Sequence, residues 1–168
     1  WTETSGPVLE TAPDGSDWPK ISIVTPSYNQ GQYIEETIRS ILLQGYPNLE
    51  YIVVDGGSDD QTIDILEKYD PWIDHWVSEP DDGQSDAINK GFAQTDGLGW
   101  GGWINSDDYL TRNALDTVGR KTPDRILSGT CVIEGSSATE QQGDIESQIE
   151  LFDIVDYWRA GAYIPQPS

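Results

Sequence analysis

Cysteine is almost missing from this sequence. Cys131 is the only one in 168 residues, so no intrachain disulfide can form. That suits a reducing cytoplasm. Histidine is equally scarce. His75 stands alone, which argues against a His-centred triad or a zinc cluster. Both residues are expected in packed surroundings: Cys131 as a small buried hydrophobe in an apolar strand, His75 beside Trp72 and Trp76. Long apolar runs are absent too. Ile21–Val24 and Ile52–Val54 are typical of the longest, against the ~18 residues needed to cross a bilayer. The first residues lack the charged stretch and apolar run of a secretory leader. The expectation is therefore a cytoplasmic protein with no transmembrane segment.

Positive charge is the other shortage. Nine basic residues face thirty acidic ones, for a formal net charge of −21. Only Lys20, Lys68, Lys90 and Lys121 are lysines. Such a surface is not drawn to nucleic acid or anionic membranes. It reads either as a well-solvated acidic surface or as adaptation to a salt-rich cytoplasm, with a cationic partner as a third reading. In molar salt the Debye length falls to about 3 Å, which relieves self-repulsion.

What remains is ordinary for a globular domain. Hydrophobic residues make up 36%, too many for a disordered chain. A single domain of this length buries roughly 70% of its unfolded surface. Residues 1–19 are rich in Pro, Gly, Ser and acid without periodicity, so a tail or linker is expected there, with order beginning at Lys20. Ile21–Val24 reads as a strand ended by Pro26. Ile34, Ile38, Ile41 and Leu42 share one helical face, stopped by Gly45 and Pro47. Tyr51–Val54 reads as a second strand ending at Asp55, followed by a helix through Ile63, Leu66 and Tyr69. A weaker strand covers Trp72–Val77. A helix opens at Ser85 or Asp86 and carries Ala87, Ile88 and Phe92 inward. Trp100–Ile104 is a strand, 111–120 a helix, 125–133 a strand, 134–146 an acidic loop and 151–158 a short helix. This alternation implies an α/β fold with a mostly parallel sheet and helices on both faces.

Ligands in such sheets bind beyond the carboxyl ends of the strands, so the residues just after each strand matter most. Asp107-Asp108 is the most informative pair. Adjacent carboxylates repel, and a hard divalent cation that also touches a phosphate relieves them. Solvated loop aspartates or helix caps are the plainer explanation. Asp55 could accept hydrogen bonds from a ligand's ribose or base, or simply organise the turn at Gly56-Gly57. Tyr28 could stack on a base and Asn29 hydrogen-bond to a ligand, or both could serve the turn. Asp86 and Lys90 lie four apart on a helix, as a surface ion pair or with Lys90 facing a diphosphate. Gly97–Gly102 matches G-x-G-x-x-G but precedes a strand, so it is no dinucleotide fingerprint.

Together, Ile21–Asn29, Tyr51–Asp60, Ser78–Gly91, Trp103–Asp108 and Tyr163–Ser168 resemble family 2 glycosyltransferases of the GT-A (nucleotide-diphospho-sugar transferase) fold. The resemblance covers residues 20–168. It implies a nucleotide-diphosphate sugar donor, a saccharide or other hydroxyl acceptor, and inversion at the anomeric carbon. It places Thr25, Pro26 and Tyr28 in the base pocket, Asp55 on base or ribose, and Asp86 and Lys90 near ribose and phosphates. Ser106-Asp107-Asp108 stands where the family's D-x-D motif stands, with Ser106 replacing the first acid. Asp108, helped by Asp107, would bind Mn2+ or Mg2+, and Asp107 the ribose or sugar. The family's catalytic base follows the Ile-Pro-Gln-Pro segment, and no residue here matches it. The expectation is a parent protein that continues past Ser168, the other reading being a non-catalytic nucleotide-sugar-binding remnant. A sheet face left uncovered would also favour a homodimer. A nucleotidyltransferase fits less well, because the loop Ser27–Gly31 carries no cation for a triphosphate.

Overall fold

The computed structural model describes residues 9–95 and 99–121. Four parallel strands form one sheet: β1 (Ile21–Ser27), β2 (Leu49–Asp55), β3 (His75–Ser78) and β4 (Trp100–Trp103), in the order β3-β2-β1-β4. Helices α1 (Ile34–Leu42), α2 (Thr62–Tyr69) and α3 (Gln84–Phe92) join successive strands, and α4 (Ala114–Gly119) follows β4. The expected α/β alternation is present. The expected elements at 125–133, 134–146 and 151–158, with Cys131 and Tyr163–Ser168, lie outside the described residues.

Two cores sandwich the sheet. On one face Ile21, Ile23, Tyr51 and Val53 pack with Ile34, Ile38 and Ile41 of α1, Leu66 of α2 and Leu115 of α4. Each apolar side chain buried this way contributes about 1.5–3 kcal/mol. On the other face Val24, Ile52 and Val54 meet Ala87 of α3. Gly91 lets α3 come this close, since a Cβ there would run into the Val24 side chain.

Several boundaries differ from the expectation. β1 continues through Pro26 to Ser27. The backbone of Ile21 and Ser27 faces β2, so by alternation Pro26 faces the β4 side. Pairing with β4 ends at Val24 and Trp103, and proline's missing N–H costs nothing there. β3 is shorter than expected because Asp70–Trp72 forms a 3-10 turn around Pro71. His75 is not buried as expected: it is exposed on a strand at the sheet's edge, and Trp72 is exposed as well. Trp18, inside the expected tail, is 3% exposed. Its indole N–H donates to the Leu9 carbonyl at 2.8 Å, and its ring lies edge-on to Tyr46. Residues 9–19 contain no helix or strand, yet this aromatic pins them to the α1 face.

The chain steps from β1 out to β3 and returns on the far side of β1 as β4. The switch point therefore lies between the carboxyl ends of β1 and β4.

Candidate functional site

At the end of β2, Asp55 is fully buried. One carboxylate oxygen accepts from the Gly57 N–H (3.1 Å), the Ser58 N–H (2.8 Å) and the Ser78 hydroxyl (2.7 Å). The other accepts from the Ser58 hydroxyl at 2.5 Å. Gly57 sits at φ +85°, where a side chain would be strained. The Ser58 oxygen in turn accepts the Asn29 N–H at 2.7 Å, and the Asn29 side-chain oxygen accepts the Asp59 N–H at 3.0 Å. Asn29 holds the left-handed conformation, which asparagine tolerates well. The loops after β1 and β2 are thus latched together. Asp55 serves that latch, and Thr25 also turns inward, its hydroxyl oxygen accepting from Tyr51 at 3.1 Å. Pro26 is buried beside it. Tyr28 projects from the same loop with 63% of its surface exposed. The Ser27 hydroxyl just before it is buried with no hydrogen-bond partner among the described residues.

After β3, the loop 79–83 leads into α3 through Gly83 at φ +101°. Lys90 reaches back to this loop. Its ammonium lies 3.2 Å from both Glu79 and Asp86 and donates to the Pro80 carbonyl at 3.3 Å. The hydrogen bond to Asp86 holds the Lys90 ammonium above its ordinary range. The Asp82 N–H, then Lys90, hold the Asp86 carboxyl below its own. The expected pairing of Asp86 with Lys90 is present, joined by Glu79.

After β4, the Ile104 N–H closes onto the Val24 carbonyl at 3.0 Å, bringing Asn105–Asp108 to the end of β1. The Gln84 amide donates to the Asn105 side-chain oxygen at 2.6 Å, and the Asn105 amide donates to Asp108 at 3.2 Å. Asp107 and Asp108 are both exposed. Partial burial of its carboxyl, then repulsion from Asp107, pushes the Asp108 pKa up, against the Asn105 hydrogen bond. No group of three or more His, Cys, Asp and Glu suited to a metal exists among the described residues. The donor set still fits a divalent cation of the kind that takes one or two carboxylates and completes its shell with water and substrate phosphates. Asp108, destabilised as an anion, is the carboxylate such an ion would relieve.

Four strand-end segments therefore meet at one edge of the sheet. The sequence signals for Asp86, Lys90, Asp107 and Asp108 lead to residues at this edge. Those for Thr25 and Asp55 lead to side chains wired into its floor. Ser58, Gln84 and Asn105 lie in the segments 55–58, 79–84 and 105–108 that the strand-end rule points to, but the sequence gives them no site role, and Ser78, the last residue of β3, carries no sequence signal.

Residues 22–120 match the family model "Glycosyl transferase family 2". An uncharacterized glycosyltransferase of Mycobacterium tuberculosis, Rv1514c, is 39% identical over 80 residues, covering 47% of this chain and 30% of its own length. Poly(ribitol-phosphate) beta-N-acetylglucosaminyltransferase TarS of Staphylococcus aureus is 34% identical over 101 residues, which is 57% of this chain and 18% of TarS. The structure of TarS residues 1–349 with UDP-GlcNAc superposes with a TM-score of 0.53 at 31% identity, over 58% of this chain and 29% of that one. A Pyrobaculum calidifontis mannosyltransferase, solved with GDP-Man and Mn2+, shares the fold with a TM-score of 0.54 at 24% identity, over 64% of this chain and 34% of its own. The fold is GT-A. The chain spans about a third or less of the length of these relatives.

Proposed function

Because the chain belongs to glycosyl transferase family 2, we propose that it holds the donor site of an inverting glycosyltransferase, which moves a sugar from a nucleotide diphosphate to an acceptor hydroxyl. The observation that carries this reading is that Tyr28 after β1, the Glu79-Pro80 loop that Lys90 reaches after β3, and Asp107-Asp108 after β4 all lie beyond the carboxyl ends of parallel strands. Tyr28 offers an exposed ring for a base, and the preceding Ser27 hydroxyl has no hydrogen-bond partner among the described residues. Lys90 supplies a fixed positive charge for the diphosphate, held until then by Glu79 and Asp86. Thr25, Pro26 and Asp55 shape the floor and act through the loops they hold. Asp108, with Asp107, would hold Mn2+ or Mg2+. Such a cation would supply positive charge to the leaving diphosphate. Lys90 would add a second charge from the α3 side of the site. Inversion requires one direct displacement, with a base to take the acceptor's proton. We assign that role to no described residue.

TarS is recorded with UDP-GlcNAc and UDP, which makes UDP the first nucleotide to test. Thermal denaturation with UDP, GDP and dTDP, each with and without Mn2+, tests the site. At ~100 times its dissociation constant, a ligand adds roughly 2.7 kcal/mol, a rise of about 5–10 °C in a domain this size. One diphosphate acting only with Mn2+ is the expected result. No shift with any of the three, from folded protein, defeats the reading. The net charge of −21 supports a further proposal, that the protein works in a salt-rich cytoplasm. A melting temperature unchanged between low and molar KCl would contradict it.

A further inference from the structure

Burying a polar side chain costs free energy unless it is hydrogen-bonded. Thr37, Ser40 and Gln44 nonetheless sit 1–3% exposed along the stripe where Ile34, Ile38 and Ile41 form the core. A threonine inside a helix ordinarily bonds back to its own helix, at the carbonyl three or four residues earlier. Thr37 does not. Its hydroxyl lies 2.9 Å from the Ser106 carbonyl and 2.6 Å from the Asp108 carbonyl, and donates to this pair. The Ser40 oxygen accepts the Leu110 N–H at 3.0 Å. The Gln44 amide donates to the Thr111 carbonyl at 3.0 Å, and its oxygen accepts the Leu115 N–H at 3.4 Å. Three side chains, spaced to share one helical face, thus hold five backbone groups of the segment 106–115. Residues 104–113 contain no helix or strand, so their backbone groups need partners from elsewhere.

Thr37 brackets Asp107 by gripping the residue on either side of it. Asp107 and Asp108 repel each other, and a loop gripped only at its ends would yield to that repulsion. We infer that Thr37, backed by Ser40 and Gln44, is a positioning residue that holds the Asp107-Asp108 backbone in the arrangement that accepts a divalent cation. The inference rests on the donor-site reading above.

The test uses the full 168-residue chain in molar KCl with UDP, following free Mn2+ by its electron paramagnetic resonance signal. Thr37→Val keeps the shape and removes the hydroxyl. Its Mn2+ affinity in the presence of UDP should fall about tenfold while UDP affinity at saturating Mn2+ stays within about twofold. Thr37→Ser restores the hydroxyl and should return Mn2+ affinity to within about twofold of wild type. A merely structural role would weaken both affinities together. Should Thr37→Val fail to fold, Ser40→Ala, which releases the Leu110 N–H and, within α1, the Thr37 carbonyl, should weaken Mn2+ about threefold. Mn2+ binding by folded Thr37→Val, or by Ser40→Ala in its place, that matches wild type overturns the inference alone. Wild-type protein that binds neither Mn2+ nor UDP overturns the donor-site reading, and this inference with it.

Discussion

Two loops end neighbouring regions of the same sheet with aspartate, and they use it in opposite ways. Asp55 after β2 is buried and wired to four protein donors. Asp107 and Asp108 after β4 are exposed, and their loop is held from behind by α1. In the first loop the acid organises the backbone. In the second, other residues organise the backbone and leave the acids outside. A strand-end aspartate is therefore no ligand by position alone: what matters is whether the protein has already satisfied its lone pairs.

The largest expected effect breaks the first loop. Asp55→Ala strands the Gly57 and Ser58 N–H groups and should cost about 3 kcal/mol or more, lowering the melting temperature by roughly 6–12 °C. A loss below ~1 kcal/mol, within the ordinary range for surface positions, would mean that the latch is not structural. Asp108→Asn is the counterpart in the second loop. Without ligand it should change stability by no more than about 0.5 kcal/mol, while abolishing the Mn2+-dependent rise of about 5–10 °C with UDP. Equal behaviour of the two variants would erase the distinction between the loops. Gly91→Ala sharpens the comparison by moving α3, which carries Lys90, without touching either aspartate. The added methyl meets Val24, and calorimetry should register a loss of about 1–3 kcal/mol. The smallest effect concerns an ion pair between α1 and α2. Lys68 and the Tyr69 hydroxyl donate to Glu35 at 2.7 and 2.8 Å and hold its pKa down. A depressed acid stabilises above its unfolded value of about 4.3 and loses that contribution as pH falls through its folded value. In this solvated setting Glu35→Gln should cost less than about 1 kcal/mol at pH 7, and the difference should shrink as pH falls below about 4. A difference unchanged at pH 3 would rule out the charge as its source.

The legible parts of the sequence were those with a period or a position. The isoleucine stripe of α1, the β-branched runs of β1 and β2, and Asp107-Asp108 after an apolar run all announce their elements. Trp18 was misleading, because its neighbours read as linker while its anchor, Tyr46, lies across a helix. Pro26 looked like a strand end because the sequence does not show that β4 stops pairing before reaching it. The role of Asp55 hung on Ser58 and Ser78, the latter from a different strand. Thr37, Ser40 and Gln44 carried a faint signal, polar residues beside an apolar stripe, but their partners lie about seventy residues away in sequence.

The central claim is that the switch-point edge of this sheet binds a nucleotide diphosphate with a divalent cation. An amide chemical-shift map of the chain titrated with UDP and Mg2+ in molar KCl tests it most directly. The account predicts shifts concentrated at Tyr28, Asn29, Lys90 and Asn105–Asp108, with α2 and α4 undisturbed. Shifts gathered anywhere else, or none at saturating UDP, would contradict it.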